Sequence, residues 1–190
     1  MYYESRFSHL YIVRIPWLLL GLALGLHFPD IDSRFQLSGL LLHRSMLTHG
    51  LLLPWLLFWL VRRRRDPRSS LRLFAIGVNL AVAVHLCFDF FPRHWIGFAL
   101  IHIPLYGWTS PLFSQAWIIV SIMICLCLAF MLVRNSVEFV LSMGGVIISL
   151  GISAAENGGI SIGVLMLIVL SIIVALLMTY WAQTVKTRRA

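Results

Sequence analysis

Apolar residues run along this chain in long blocks, without the strict alternation of a half-buried strand or the 3.6-residue period of an amphipathic helix. Six such blocks fall at about 11–28, 45–61, 71–91, 116–133, 137–154 and 160–181. Each approaches the roughly 20 residues that carry a helix across a hydrocarbon core, and the first two are the shortest. The pattern predicts an all-α fold: a polytopic transmembrane helical bundle of about six spans. Pro16 and Pro54 lie inside the first two blocks, which a membrane helix tolerates where neighbours re-satisfy its backbone. A tilted or partly re-entrant course is open for both. Ser142, Gly144, Gly145, Ser149 and Gly151 in the fifth block predict close helix packing. The connector 134–136 is too short for a linker, so residues 1–190 are read as one membrane domain. Within it, 1–95 holds the polar motifs, and 96–190 holds an outer loop and three supporting spans.

Composition sharpens the class. The chain is 60% hydrophobic, against about 45–50% for soluble domains, which excludes an ordinary soluble fold. The first block lacks a small-x-small cleavage pattern and reads as a retained span, not a removed leader. Cys87, Cys125 and Cys127 all lie in apolar blocks and read as packing residues without a disulfide frame. The net charge of +8 raises nucleic acid or an anionic membrane surface as partner. Position decides between them: Arg62, Arg63, Arg64, Arg65, Arg68 and Arg72 crowd one connector, and Lys186, Arg188 and Arg189 the C-terminus. These read as topology anchors on anionic lipid, with no nucleic acid. Six crossings with both termini cytoplasmic put those nine cations, Arg6, Arg14 and Arg134 inside, and leave only Arg34, Arg44 and Arg93 outside.

Three polar clusters interrupt this background: HFPDID at 27–32, HRSMLTH at 43–49 and HLCFD at 85–89. An ionisable group at membrane depth is costly and marks a functional site by default. The charge count puts all three clusters at the same, outer face. His85 and Asp89 are four apart and share one helical face. Asp30 and Asp32 follow Pro29, where a turn can aim both carboxylates at one point or leave one behind as support. His43 and His49 converge only if His43 lies on the entry loop, and the Thr48 hydroxyl can hold a ligand or water. His27 can join or orient the set.

Mixed His and carboxylate donors suit a divalent metal: Zn first, then Mn or Fe. Such an ion brings the pKa of a bound water to roughly 7 and so supplies a nucleophile. Three carboxylates leave a two-metal site open as well. Arg44 and Arg93 flank the clusters and can clamp a phosphate or anchor to headgroups. An unligated Asp can serve as general base. His94 and His102, beside Trp95, Tyr106 and Trp108 in the loop 92–115, read first as an interfacial aromatic belt and second as a lid. Glu156 and Asn157 read as solvated. Glu138 falls at the inner face, too far to help. Taken singly, each cluster has a plain structural reading, as a helix–helix hydrogen bond or an interfacial helix stop.

PDID, HRSMLTHG and HLCFD resemble the PDxD…HRGxTHS…HxxxD pattern of the YdjM-type family of inner-membrane metal-dependent hydrolases, some of whose members are LexA-regulated. The resemblance covers about residues 20–95 and falls on Pro29, Asp30, Asp32, His43, Arg44, Thr48, His49, His85 and Asp89. The chain has one residue more between Arg44 and Thr48, and Gly50 where the pattern has Ser. The resemblance implies a bacterial inner-membrane enzyme. Combined with the residues above, it predicts hydrolysis of a phosphoester or ester in a lipid or lipid-linked substrate at the outer face. Asp30, Asp32, His43, His49, His85 and Asp89 are the expected metal ligands. Asp32, Arg44 and Thr48 are the expected catalytic residues. A metal-ion or proton transporter is the alternative from a different class, and a structural protein stapled by metal or hydrogen bonds is a third.

Overall fold

The computed structural model describes residues 14–32, 44–64, 70–92 and 100–188. Among these, six helices carry the fold: α1 (Ile15–His27), α2 (Leu52–Arg64), α3 (Ser70–Phe90), α4 (Pro111–Leu132), α5 (Ser136–Glu156) and α6 (Ile162–Arg188). A two-stranded antiparallel hairpin, β1 (His102–Ile103) and β2 (Gly107–Trp108), precedes α4. Helices α3 to α6 are long and apolar enough to cross a membrane, which makes this a membrane protein. The two shortest blocks become helices of 13 residues each, about 20 Å long against about 30 Å of hydrocarbon. The six expected spans are thus six helices, of which four have spanning length.

Local chemistry explains the ends. Pro16 sits in the first turn of α1, where its missing N–H is not needed. Pro54 lies in the first turn of α2. Ser110 caps α4, its side chain accepting a bond from Phe113 N, ahead of Pro111 at the first turn. Asn135 caps α5 by accepting from Glu138 N at 2.9 Å, while Glu138 Oε2 accepts from Arg134 N at 2.9 Å. The arrangement is a variant of the capping box, with the Glu138 carboxylate reaching the amide of the residue before the cap.

Helix α3 is the axis of the bundle and packs against all five other helices. Its residues from Leu73 to Val84 are buried, apart from a partly exposed Phe74. Its closest neighbour is α1. A Cβ on Gly21 would run into the carbonyl of Phe74, and one on Gly77 into that of Leu18. On Gly25 it would lie 2.6 Å from Val78 O. Only glycine lets the two backbones approach this closely. Gly21 pairs with Phe74 and Val78, and Gly25 with Val78 and Ala81, so the two helices run parallel. Their C-termini, His27 and Phe90, therefore lie at one end of the bundle. In α5, Ser142, Gly145 and Ser149 face inward as expected, but Gly144 and Gly151 have nothing within 4 Å of an added Cβ.

At the other end lies a buried ion pair. Arg72 Nη1 donates to Glu138 Oε2 at 2.7 Å and Nη2 to Oε1 at 2.6 Å, and Nη1 also reaches Leu132 O at 3.2 Å. Both side chains are nearly inaccessible. Arg72 is therefore not one of the solvated cations of the 62–72 connector: it lies in the first turn of α3 and ties α3 to α4 and α5. Arg62, Arg63 and Arg64 do close α2 at this end and are exposed. Arg62 lies over Phe58 and Arg63 over Trp59.

Candidate metal centre

The short helices leave room at the end where α1 stops. Beyond α1 and before α2, segments 28–32 and 44–51 fill a recess beside the last turns of α3. Segment 45–49 is coiled, with Thr48 N and His49 N both donating to Ser45 O, at 3.1 and 2.8 Å. Gly50 then packs so closely that a Cβ would meet the carbonyl of Met46. The extra residue in 45–47 and the glycine at 50 are thus parts of one tight coil. Trp117 of α4 donates through Nε1 to His49 O at 3.3 Å, and His102 pairs its backbone with both Arg44 and Met46.

His49, His85, Asp30, Asp32 and Asp89 converge here. Asp89 Oδ2 lies 3.3 Å from His49 Nε2 and 3.3 Å from His85 Nε2. Asp30 Oδ1 lies 3.8 Å from His85 Nε2. Donor atoms of Asp30, His49 and His85 all fall within 4.8 Å of one another. Two donors on one tetrahedral ion are separated by about 3.3–3.6 Å, because metal–ligand bonds are about 2.0–2.2 Å long. The spacing of Asp89 and the two imidazoles matches that edge. Neither His85 Nε2 nor Asp89 Oδ2, both inaccessible, has a hydrogen-bond partner among the described residues. By donor chemistry these residues fit a divalent ion, with both Asp89–imidazole edges at ligand spacing and Asp30 set wider.

Asp32 stands behind His49. Its Oδ2 accepts from Ser45 N at 2.9 Å and Thr48 Oγ1 at 2.6 Å, and faces His49 Nδ1 at 3.3 Å. Nδ1 therefore faces Asp32, and Nε2 faces Asp89. Burial pulls the His49 pKa down, but the carboxylates of Asp32 and Asp89 on either side outweigh it and hold it up at about 9. Arg44, in a left-handed conformation at φ 62°, sets Nη2 3.7 Å from Asp89 Oδ1. The Asp30 side chain is 49% exposed, against 14% for His85 and Asp89. The site is thus most open toward Asp30.

Other expected residues lie elsewhere. His27 is exposed in the last turn of α1 and adds no atom to the cluster of close donors. His102 is buried in β1, with its ring edge-on to Trp108. Glu156 is exposed at the end of α5. His43, Arg34, Arg93, His94 and Trp95 fall outside the described residues. Sequence reasoning did not single out Ser45, whose amide holds Asp32, or Trp117, which holds the His49 carbonyl. Ser45 lay within the motif, and no pattern marked Trp117.

Comparisons with family models, curated proteins and solved structures found no match for this chain.

Proposed function

We propose that the protein is a membrane-embedded, metal-dependent hydrolase acting on a phosphoester or ester bond of a lipid or lipid-linked substrate. The observation that carries this reading is Asp89 Oδ2 poised 3.3 Å from both His49 Nε2 and His85 Nε2, the spacing of ligands on a common ion. His49, His85, Asp89 and Asp30 would hold the ion. When bound, a divalent ion supplies Lewis acidity and an activated water.

The other residues act on this set. Asp32 keeps a proton on His49 Nδ1 and leaves the Nε2 lone pair for the ion, the usual carboxylate–histidine support of a metal ligand. Thr48 and the Ser45 amide fix that carboxylate in turn. Asp30, the most exposed carboxylate of the set, would be the ligand nearest the open side of the site. Arg44 balances Asp89 and is close enough to share a substrate anion. Asp30, Asp32 and Asp89 against Arg44 leave two negative charges, which one divalent ion neutralises. That balance favours a single ion over two.

The resemblance to the YdjM-type family supports hydrolysis, and the place of the site in the last turns of a helix of spanning length supports a lipidic substrate. The segregation of Arg62, Arg63, Arg64 and Arg134 away from the site supports cytoplasmic termini and an outward-facing site in a bacterial inner membrane. Transport finds less support. In α3, Asn79 is the one strongly polar side chain between the ion pair and His85, and its Nδ2 is spent on Ala75 O of its own helix at 2.8 Å.

The test is metal stoichiometry of the purified protein together with turnover of phosphoester and ester lipids. We expect one divalent ion per chain and activity lost in His85→Ala and Asp89→Ala. Metal-free protein, with both variants indistinguishable from wild type, overturns the reading. Bound metal that raises thermal stability without any turnover points to the staple.

A further inference from the structure

We infer that the β1–β2 hairpin is a wedge that enters the lipid leaflet at the site end, making bilayer lipid the partner of the element that braces the metal-site loop. The base of the hairpin is tied down by hydrogen bonds. His102 N donates to Arg44 O at 3.0 Å and His102 O accepts from Met46 N at 2.8 Å. Thr109 donates to Ile101 O through both its amide and its hydroxyl, and Ile101 N donates to Ser114 Oγ at 3.1 Å. The hairpin is therefore fixed to the 44–49 coil on one side and to α4 on the other.

Its tip has the opposite character. Leu105 is 82% exposed, Tyr106 89% and Trp108 56%. Residues 100–110 include no Asp, Glu, Lys or Arg. Leu105 adopts φ 70°, a left-handed conformation that glycine or asparagine would take with less strain. A leucine held there, almost fully outside the fold, contributes little to packing within the protein. Strain at such a position points to a role outside it. The apolar surface continues without a charged residue through Leu112 and Phe113, 78% and 43% exposed, onto the outer face of the spanning helix α4. The hairpin is thus continuous with the exposed apolar face of a helix of spanning length. Aromatic and aliphatic side chains at the end of a span settle at the headgroup–acyl boundary.

The inference does not depend on metal or turnover, so its test can fail independently of the hydrolase reading. Tyr106→Cys is made in the full chain with Cys127→Ser, leaving Cys87 and Cys125 buried. An environment-sensitive nitrobenzoxadiazole label is attached, and the protein is placed in phosphatidylethanolamine–phosphatidylglycerol vesicles. The expected result is blue-shifted emission, quenched by nitroxide lipid labelled near the headgroup and protected from aqueous iodide. The same label at Glu156→Cys, exposed on the α5–α6 turn at the same end, reports the aqueous pattern. Leu112→Cys serves as a second probe if the turn variant fails to fold. Iodide quenching at both hairpin-side probes equal to that at Glu156→Cys overturns the inference.

Discussion

If the site holds a divalent ion as proposed, binding should be coupled to loss of a proton from His49. The perturbation is pH. In the metal-free protein the His49 pKa stands at about 9, because Asp32 and Asp89 flank the ring. An ion can bind Nε2 only after that nitrogen is deprotonated. At about pH 7 roughly one ring in a hundred is ready, which weakens apparent affinity about a hundredfold, or about 3 kcal/mol. Affinity should therefore rise about tenfold or more per pH unit up to about pH 9 and then level off. Isothermal titration calorimetry in detergent, run in buffers of different ionisation enthalpy, reads both the affinity and the released proton. The stability of the metal-free protein carries the same sign. A raised histidine pKa stabilises the fold fully below the unfolded value of 6.5, and this contribution is lost as pH rises through about 9. Affinity that is flat between about pH 7 and about pH 9, with no proton released, refutes the reasoning.

Asp32→Asn should cost about 10- to 100-fold in metal affinity and flatten its pH dependence, because it removes a carboxylate that orients and charges His49; chelator competition measures both. Glu138→Ala should destabilise the fold by about 3–5 kcal/mol, because Arg72 is left buried without its carboxylate. Thermal unfolding read by a thiol-reactive dye at Cys87 and Cys125, in a Cys127→Ser background, checks this, and Arg72→Met with Glu138→Leu should restore much of the loss. Gly25→Leu should abolish the folded monomer on size exclusion, since the new side chain starts against Val78 O. Gly144→Ala should leave stability unchanged or raise it by up to about 1 kcal/mol.

How much of this was legible depended on which forces set each feature. The apolar blocks placed all six helices, because burial in lipid demands continuous hydrophobicity. The start of α2 was misplaced: the second block was drawn from residue 45, but 45–51 is a coil set by hydrogen bonds to Ser45 O and by Gly50, which hydropathy does not register. The cluster of Asp30, His49, His85 and Asp89 was readable from charge placement and spacing. The position of Asp32 behind His49 was not, because ligand and supporting carboxylates look alike in sequence. Arg72 read as one more loop cation. Its pairing with Glu138 joins residues 66 apart, and no local pattern reports that contact.

The parallel glycine seam between α1 and α3 has a consequence for biogenesis. A 13-residue helix emerging from the insertion machinery does not span the bilayer alone, and both α1 and α2 are of that length. Neither should have a stable resting place until α3, the first helix of spanning length among the described residues, arrives and presents Gly77 to the turn of Gly21. The first three helices should then settle as one unit, with α3 as the event that commits them. Truncated nascent chains ending before Ser70 should remain extractable from the membrane, and those extending past Phe90 should not.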